Sequence, residues 1–333
     1  MVPGAAEMVS GADQAPARVV TIGEALVCFA ATDGMLNEAR TFERSFGGAE
    51  ANTSIGLARL GDAVTFISRL SADPIGDQIM NVMRREGIDV SQVGRSETGQ
   101  TGLLLKDRPT PNESRWMYYR RDSAATELTP ADLDPDVVTA VDLLHVTGIT
   151  MSIGAGPRAL VQEAVRVARA AGTLVTFDPN FRPQMTTPDA ARATFLEMMQ
   201  SVDHLLCNDA EAELITGRSD PGEAARALAD LGPAAVLVKQ GARGVAAVVD
   251  GEFLSRDAVF APNPVDPTGA GDAFNAGWIH ATLHGLPLER RLGLAAFVAA
   301  QVVQHPGDFD GFPDRDVVDA WLAADEEPAD ARR

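Results

Sequence analysis

Asp266-Pro-Thr-Gly-Ala-Gly-Asp272, continued by Ala273-Phe-Asn-Ala-Gly277, decides how this chain is read. Pro267 and the small residues after it force a tight turn. Ala270, Phe274, Gly277, Trp278 and Ala281 then recur at helical spacing. A turn that opens straight into a helix leaves backbone N–H groups unpaired at the positive end of the helix dipole, a good seat for an anion. Lacking Cβ atoms, Gly269 and Gly271 let a phosphate approach the N–H groups of Gly269, Ala270 and Gly271 closely. Asp272 sets a carboxylate beside that cradle, and the combination suits phosphoryl transfer to a hydroxyl. A plain glycine turn with Asp272 as an ordinary helix-start residue is the competing account. The other parts of the chain decide between them.

Composition narrows the classes. The 333 residues fit one large domain, or one with an appendage, at about 100–200 residues per domain. With 45% hydrophobic residues a large core can be buried, and 23% charged is ordinary for a soluble protein. Cys28 and Cys207, the two cysteines, both lie in apolar runs and cannot make a disulfide framework, so a cytoplasmic setting fits. The opening MVPGAAEMVSGADQAPAR has neither a basic start nor an apolar core, and no run approaches the roughly 18 apolar residues of a membrane span. Residues 1–17 and 325–333 are expected to be disordered tails around one domain at 18–324. A net charge of −19 argues against nucleic acid and anionic membranes as partners. An anionic ligand must then be met by local N–H nests, a few arginines and a divalent cation.

From Val19 onward, apolar strands alternate with amphipathic helices, the pattern of a doubly wound, mainly parallel sheet with helices on both faces. Strands are expected at 19–22, 64–68, 143–146, 174–177, 204–207, 235–239, 245–249 and 252–254. Helices are expected at 49–60, 75–86, 157–171, 188–200, 223–231, 270–284, 288–304 and 314–323. The stretch 101–121 breaks the rhythm. Leu103–Lys106 and Arg115–Arg120 flank the turn-rich Arg108-Pro-Thr-Pro-Asn112, a hairpin signal. With a segment near 28–46 it forms a small β-sheet flap outside the main sheet.

Several strand ends carry chemistry. Gly47-Gly-Ala-Glu-Ala-Asn52 opens a helix, and Asn52 can offer its amide to a ligand. In Phe177-Asp-Pro-Asn-Phe-Arg-Pro183, two prolines, Pro179 and Pro183, stiffen a loop at the carboxyl end of a strand, where open α/β sheets bind ligands. Arg182 is suited there to a carboxylate or phosphate; a surface pair with Asp178 is the alternative. Asn208 and Glu211 read as a capping box, the alternative being that Glu211 helps hold the water shell of Mg²⁺. Lys239-Gln-Gly-Ala-Arg-Gly244 joins two strands and can flank a flat ring such as adenine. Gly154-Ala-Gly-Pro-Arg-Ala159 matches a loose dinucleotide fingerprint, but it starts several residues after its strand. His280 and His284 lack the glutamate of a zinc-protease motif, and no P-loop is present.

Taken together, these segments resemble the ribokinase-like (PfkB) carbohydrate kinases. The likeness runs from about Arg18 to Trp321 and rests on GGAEANTSIGLARLGDAVTFISRLSADPIG at 47–76 and DPTGAGDAFNAGW at 266–278. It implies a doubly wound α/β core with a β-sheet lid, ATP and Mg²⁺ as cofactors, and a monovalent cation such as K⁺ as a further expectation. It also implies Asp272 as catalytic base, with Gly269, Ala270 and Gly271 as the anion hole. Asn208, Lys239, Gly241 and Gly244 join Gly269 and Gly271 at the nucleotide, and Glu211 lies at the metal. Within the family, GEALV at 23–27, MYYRRDSAA at 117–125 and DPNFRP at 178–183 are most similar to 2-keto-3-deoxygluconate kinases. That likeness places Gly48, Asn52, Tyr118, Arg120, Arg182 and Asp308 around a sugar acid, with Arg120 and Arg182 together expected on its carboxylate. The subgroup often has a tyrosine where Leu104 stands, so fructose and a dehydro-deoxygluconate compete as substrates. A nicotinamide-dependent oxidoreductase and a non-catalytic sugar binder are the alternatives of other classes. Pairing of two copies through the lid edges is expected to be open to the chain.

Overall fold

The structure, a computed structural model, describes residues 15–110 and 113–326. The expected tails fall largely outside this range. Residue 17 is already tied in, its carbonyl accepting the Ala63 N–H at 2.8 Å.

The strands in chain order are β1 (Arg18–Ile22), β2 (Leu26–Ala31), β3 (Phe42–Gly47), β4 (Ala63–Ser71), β5 (Val93–Ser96), β6 (Leu103–Thr110) and β7 (Glu113–Tyr119). They continue with β8 (Leu143–Thr147), β9 (Leu174–Asp178), β10 (His204–Asn208), β11 (Ala235–Lys239), β12 (Val245–Val249) and β13 (Glu252–Arg256). The helices are α1 (Ala49–Arg59), α2 (Pro74–Arg85), α3 (Pro135–Thr139), α4 (Gly148–Ser152), α5 (Ala155–Ala171) and α6 (Pro188–Met198). They end with α7 (Asp209–Thr216), α8 (Pro221–Ala229), α9 (Ala270–Leu283), α10 (Leu288–Val302) and α11 (Arg315–Glu326).

Nine strands form the large sheet in the order β13-β12-β11-β10-β9-β8-β1-β4-β5. It is parallel from β5 to β11, and β12 and β13 add antiparallel at one edge. Strands buried on both faces send alternate residues to opposite cores. Val20, Ile22, Leu144, Val146, Val236 and Val238 join the cluster that contains α5 and α8 residues. Val19 and Leu143 face the core with α1, α2, α9 and α10 residues, and Leu206 and Leu237 meet Phe274 and Trp278 of α9.

The second sheet has the order β3-β2-β6-β7. Its β2 overlaps the start of the segment expected near 28–46 and begins two residues earlier, within the plain apolar run LVCFAA. It pairs parallel with β6 and antiparallel with β3. The expected hairpin is longer than its turn residues suggested. Strand β6 runs on to Thr110, with Pro109 accommodated where the β6–β7 register shifts between Asp107 and Thr110. Proline is tolerated at such irregularities. The rest of the expected turn, 111–112, lies outside the described residues.

The chain order reverses between β1 and β8, and β8, β9, β10 and β11 all end on the same side. Open parallel sheets bind ligands outside such a crevice.

Candidate active site

One cavity of about 1520 Å³ opens over those strand ends, bounded on its far side by the small sheet. It brings together the residues that the sequence assigned to substrate, nucleotide, metal and proton transfer. Gly48, Asn52, Tyr118, Arg120, Arg182, Asn208, Glu211, Lys239, Gly241, Gly244, Gly269, Ala270, Gly271, Asp272 and Asp308 all line it. Residues 154–159 do not; Gly156 packs against the Leu128 carbonyl, which a Cβ there would meet at 2.3 Å. The dinucleotide fingerprint is therefore a packing motif.

The glycine turn is built as its sequence demands. Gly269 caps α9 at φ 78° and lies against the Asp308 backbone, whose carbonyl a Cβ would meet at 2.1 Å. Gly271 is different. Its conformation is ordinary, and beyond its own helix turn and chain neighbours a Cβ there would meet, within 4 Å among the described residues, just the Lys239 Nζ, at 3.7 Å. Open space flanked by an ammonium and a helix start is what a phosphate requires.

Asp272, in the first turn of α9, is buried and accepts a hydrogen bond from Asn52 Nδ2 at 2.8 Å. Its pKa is raised to about 7, chiefly by burial; the Asn52 bond opposes the rise and the Asp178 charge adds to it, while Lys239 and Arg182 lower it. A carboxylate poised near neutrality beside a positive turn can take a proton from a hydroxyl.

Behind it lies a network the sequence left unassembled. Asp178, at the end of β9, accepts from Lys239 Nζ at 2.9 Å and from Asn275 Nδ2 at 2.7 Å. Lys239 also donates to Asn275 Oδ1 at 3.0 Å. The Asp178 partner is therefore Lys239, and the Arg182–Asp178 pair is not formed. Burial disfavours the Lys239 charge, but Asp178 and Glu211 outweigh it and hold the ammonium charged.

Among the described residues, Arg182 has no carboxylate within ion-pair distance; its guanidinium donates to the Phe181 carbonyl at 3.1 Å. Arg120 is the opposite case. It pairs with buried Glu24, which also accepts from Ser123 Oγ at 2.6 Å, and its guanidinium lies 5.6 Å from the Tyr118 ring centre.

Glu211 forms the capping box with Asn208, each accepting the other's N–H at 2.9 Å. Its second oxygen accepts the Phe181 N–H at 2.8 Å. Burial and the Asp178 charge raise its pKa to about 7. Each carboxylate oxygen keeps a second lone pair, so capping and a hold on a metal's water shell are compatible. Gly241 (φ 58°) and Gly244 (φ 99°) shape the turn after β11, and Gly244 packs on the Arg256 carbonyl. Exposed Phe260 lines the same end of the cavity.

Asp308 lies over Gly47, whose missing Cβ leaves room for Asp308 Oδ2. Burial raises its pKa to about 6. Beside it is Lys106 of β6, which no motif marked. A lysine inside LLLKD was the one available signal.

The sequence matches the pfkB family carbohydrate kinases over residues 16–315. This chain belongs to that family. The kinase is 34% identical over 308 residues to a 2-dehydro-3-deoxygluconokinase of Bacillus subtilis, covering 92% of this chain and 95% of that one. It is 27% identical over 317 residues to a 5-dehydro-2-deoxygluconokinase of Clostridium perfringens, covering 93% and 94%. Its fold matches an Escherichia coli structure described as a ribokinase II in complex with ATP and Mg²⁺, with TM-score 0.84 and 23% identity over 92% and 99% of the two chains. A sugar kinase acting on an alcohol group follows from this membership, with a ribokinase-like α/β fold. Among the described residues, no helix is long and apolar enough to cross a membrane.

Proposed function

We propose that the kinase transfers the γ-phosphoryl group of ATP to the terminal hydroxyl of 2-keto-3-deoxygluconate or a closely related sugar acid. The observation that carries the acid is Arg182, which faces the Asp272 end of the cleft with no carboxylate partner of its own among the described residues.

Asp272 takes the hydroxyl proton, and Asn52 fixes which way its carboxylate faces. The N–H groups of Gly269, Ala270 and Gly271, with the Lys239 ammonium beside them, hold negative charge where the phosphoryl group passes. ATP supplies that group, and Mg²⁺ supplies countercharge for it. Asn208, Gly241 and Gly244 form the nucleotide end, and Glu211 holds the water shell of Mg²⁺. Gly48, Tyr118, Arg120 and Asp308 surround the sugar, with Arg182 on its carboxylate. Leu104, buried against Leu26, Cys28 and Tyr118, gives that pocket an apolar wall. The small sheet acts as a lid that excludes water.

We keep a monovalent cation such as K⁺ among the activators. Buried Asp266 and Asp308 share one ammonium, Lys106, which leaves one negative charge for it to balance. The catalytic unit is taken as 18–324. Free, buried Cys28 and Cys207 fit the cytoplasm. The exposed Phe42, Met117 and Tyr119 of the lid suit pairing of two copies.

ADP release screened across sugars and sugar acids tests the reading. The expected outcome is highest kcat/KM on 2-keto-3-deoxygluconate. A preference for fructose removes the acid and leaves a sugar kinase; a preference for 5-dehydro-2-deoxygluconate moves the assignment to the other relative's substrate.

A further inference from the structure

Lys106 lies on the lid strand β6, two residues from Leu104 and therefore on the same, cleft-facing side. Its side chain is 4% exposed, and its Nζ lies 2.5 Å from Asp266 Oδ2, 3.2 Å from Thr268 Oγ1 and 3.7 Å from Asp308 Oδ1. Asp266 divides its carboxylate between two elements. Oδ2 meets the lid lysine, while Oδ1 accepts the Thr268 N–H at 3.1 Å and the Thr268 hydroxyl at 2.7 Å. Those last two bonds shape the turn immediately before Gly269, which itself rests on the Asp308 backbone. A buried ammonium is stable only while it is paired and hydrogen-bonded. Were β6 to move off, Lys106 would go to water and the turn would lose the charge that fixes Asp266. The same contact thus reads the lid and holds the turn.

We propose that Lys106 is a positioning residue that couples closure of the small sheet to the shape of the 266–271 turn, acting through Asp266 and Thr268 and not on the substrate. The inference rests on the reading of that turn as the phosphoryl site.

The test is Lys106→Met in the full chain, with ADP release and amide hydrogen exchange measured beside wild type. The expected result is a fall in kcat of about 10–100-fold, the cost of a small misplacement in an oriented site, with KM for the sugar within about threefold. Exchange in peptides covering 265–270 should rise in the absence of sugar and nucleotide, while β9 and β10 stay protected. A kcat near wild type, a loss confined to KM, or unchanged exchange in 265–270 overturns the proposal. Should the variant not fold, Lys106→Met with Asp266→Asn removes both charges together. Recovery of near-wild-type kcat there means the pair merely neutralises burial and overturns the coupling; a folded variant still low in kcat supports it. The two proposals fail separately. Activity is compared as a ratio on whichever sugar wild type prefers, so a change of substrate leaves the coupling untouched, and the exchange measurement uses no substrate at all.

Discussion

The two walls of the cleft each carry an arginine, and the two have been left in opposite states. On the lid wall, Arg120 is closed off by buried Glu24, with Ser123 completing the carboxylate. On the wall built from the large sheet, Arg182 has a backbone carbonyl for company and no carboxylate among the described residues. The lid's buried lysine, Lys106, is likewise matched by Asp266. Charges on the lid are therefore spent on holding the lid's shape and seat, whereas the core wall keeps a cation available to an incoming anion. A desolvated ion pair gains little from a third charged group that must also be desolvated. The difference teaches which arginine to expect on the substrate and which to expect on the architecture.

The largest effects belong to the core wall. Asp272→Asn keeps the shape and the Asn52 contact but removes the proton acceptor, and kcat is expected to fall by about 10²–10⁴. In wild type, kcat/KM should rise with pH through about 7, because the unprotonated carboxylate is the active form and burial has raised its pKa to about 7. The variant should lose that limb. Retention of more than about a tenth of the activity removes Asp272 from the role of general base.

Next comes the turn. Gly271→Val introduces no strained φ and meets the flexible end of Lys239, so the protein should stay folded while activity drops by at least about 10²-fold. Gly269→Val should instead fail to fold normally, since its φ is 78° and the Asp308 carbonyl occupies the Cβ position. Circular dichroism with ADP release separates the two. A folded, fully active Gly271→Val leaves the turn as mere punctuation before a helix.

Arg182→Leu tests the available cation directly. A charge-assisted contact worth about 1.5–3 kcal/mol should raise KM for the sugar acid about 10–100-fold. Side activity on fructose, which has no carboxylate, should change far less. Equal losses on both sugars would take the acid out of the assignment.

How much of this was legible in the sequence follows from the range of each interaction. The turn at 266–272, the capping box at 208–211 and the strand-end loop at 178–182 are local, so spacing alone exposed them. Even the β6–β7 hairpin was located, though Pro109 made its turn look longer than it is. What could not be read were partnerships across the fold: Arg120 with Glu24, Lys106 with Asp266, Asp178 with Lys239 and Asn275. Asp178 illustrates the limit. Local reasoning offered Arg182, four residues away, as its mate, but the parallel pairing of β9 with β10 and of β10 with β11 sets Lys239 beside it instead. The lid's β2 was legible as part of the 28–46 segment, but not its pairing with β3 and β6, because an apolar run carries no mark of its neighbours.

The smallest expected change in substrate affinity comes from the lid arginine, and it is the one that can break the contrast. In Arg120→Leu, Glu24 stays buried with the Ser123 hydroxyl as its remaining hydrogen-bond donor among the described residues. Stranding a buried charge costs about 3–5 kcal/mol, so the melting temperature should fall clearly. The affinity for the sugar acid should change by less than about tenfold, because a guanidinium already matched by a carboxylate has little charge left to offer. Glu24→Gln added to Arg120→Leu removes the stranded charge and should return much of the lost stability while leaving KM where the single variant put it. Melting curves and KM for the single and double variants, set beside Arg182→Leu, give the comparison. A rise in KM as large as that for Arg182→Leu, in a variant still folded at the assay temperature, would mean that Arg120 exchanges Glu24 for the substrate's carboxylate on closure. The two walls would then grip the acid together, and the Glu24 pair would be the resting state of the lid.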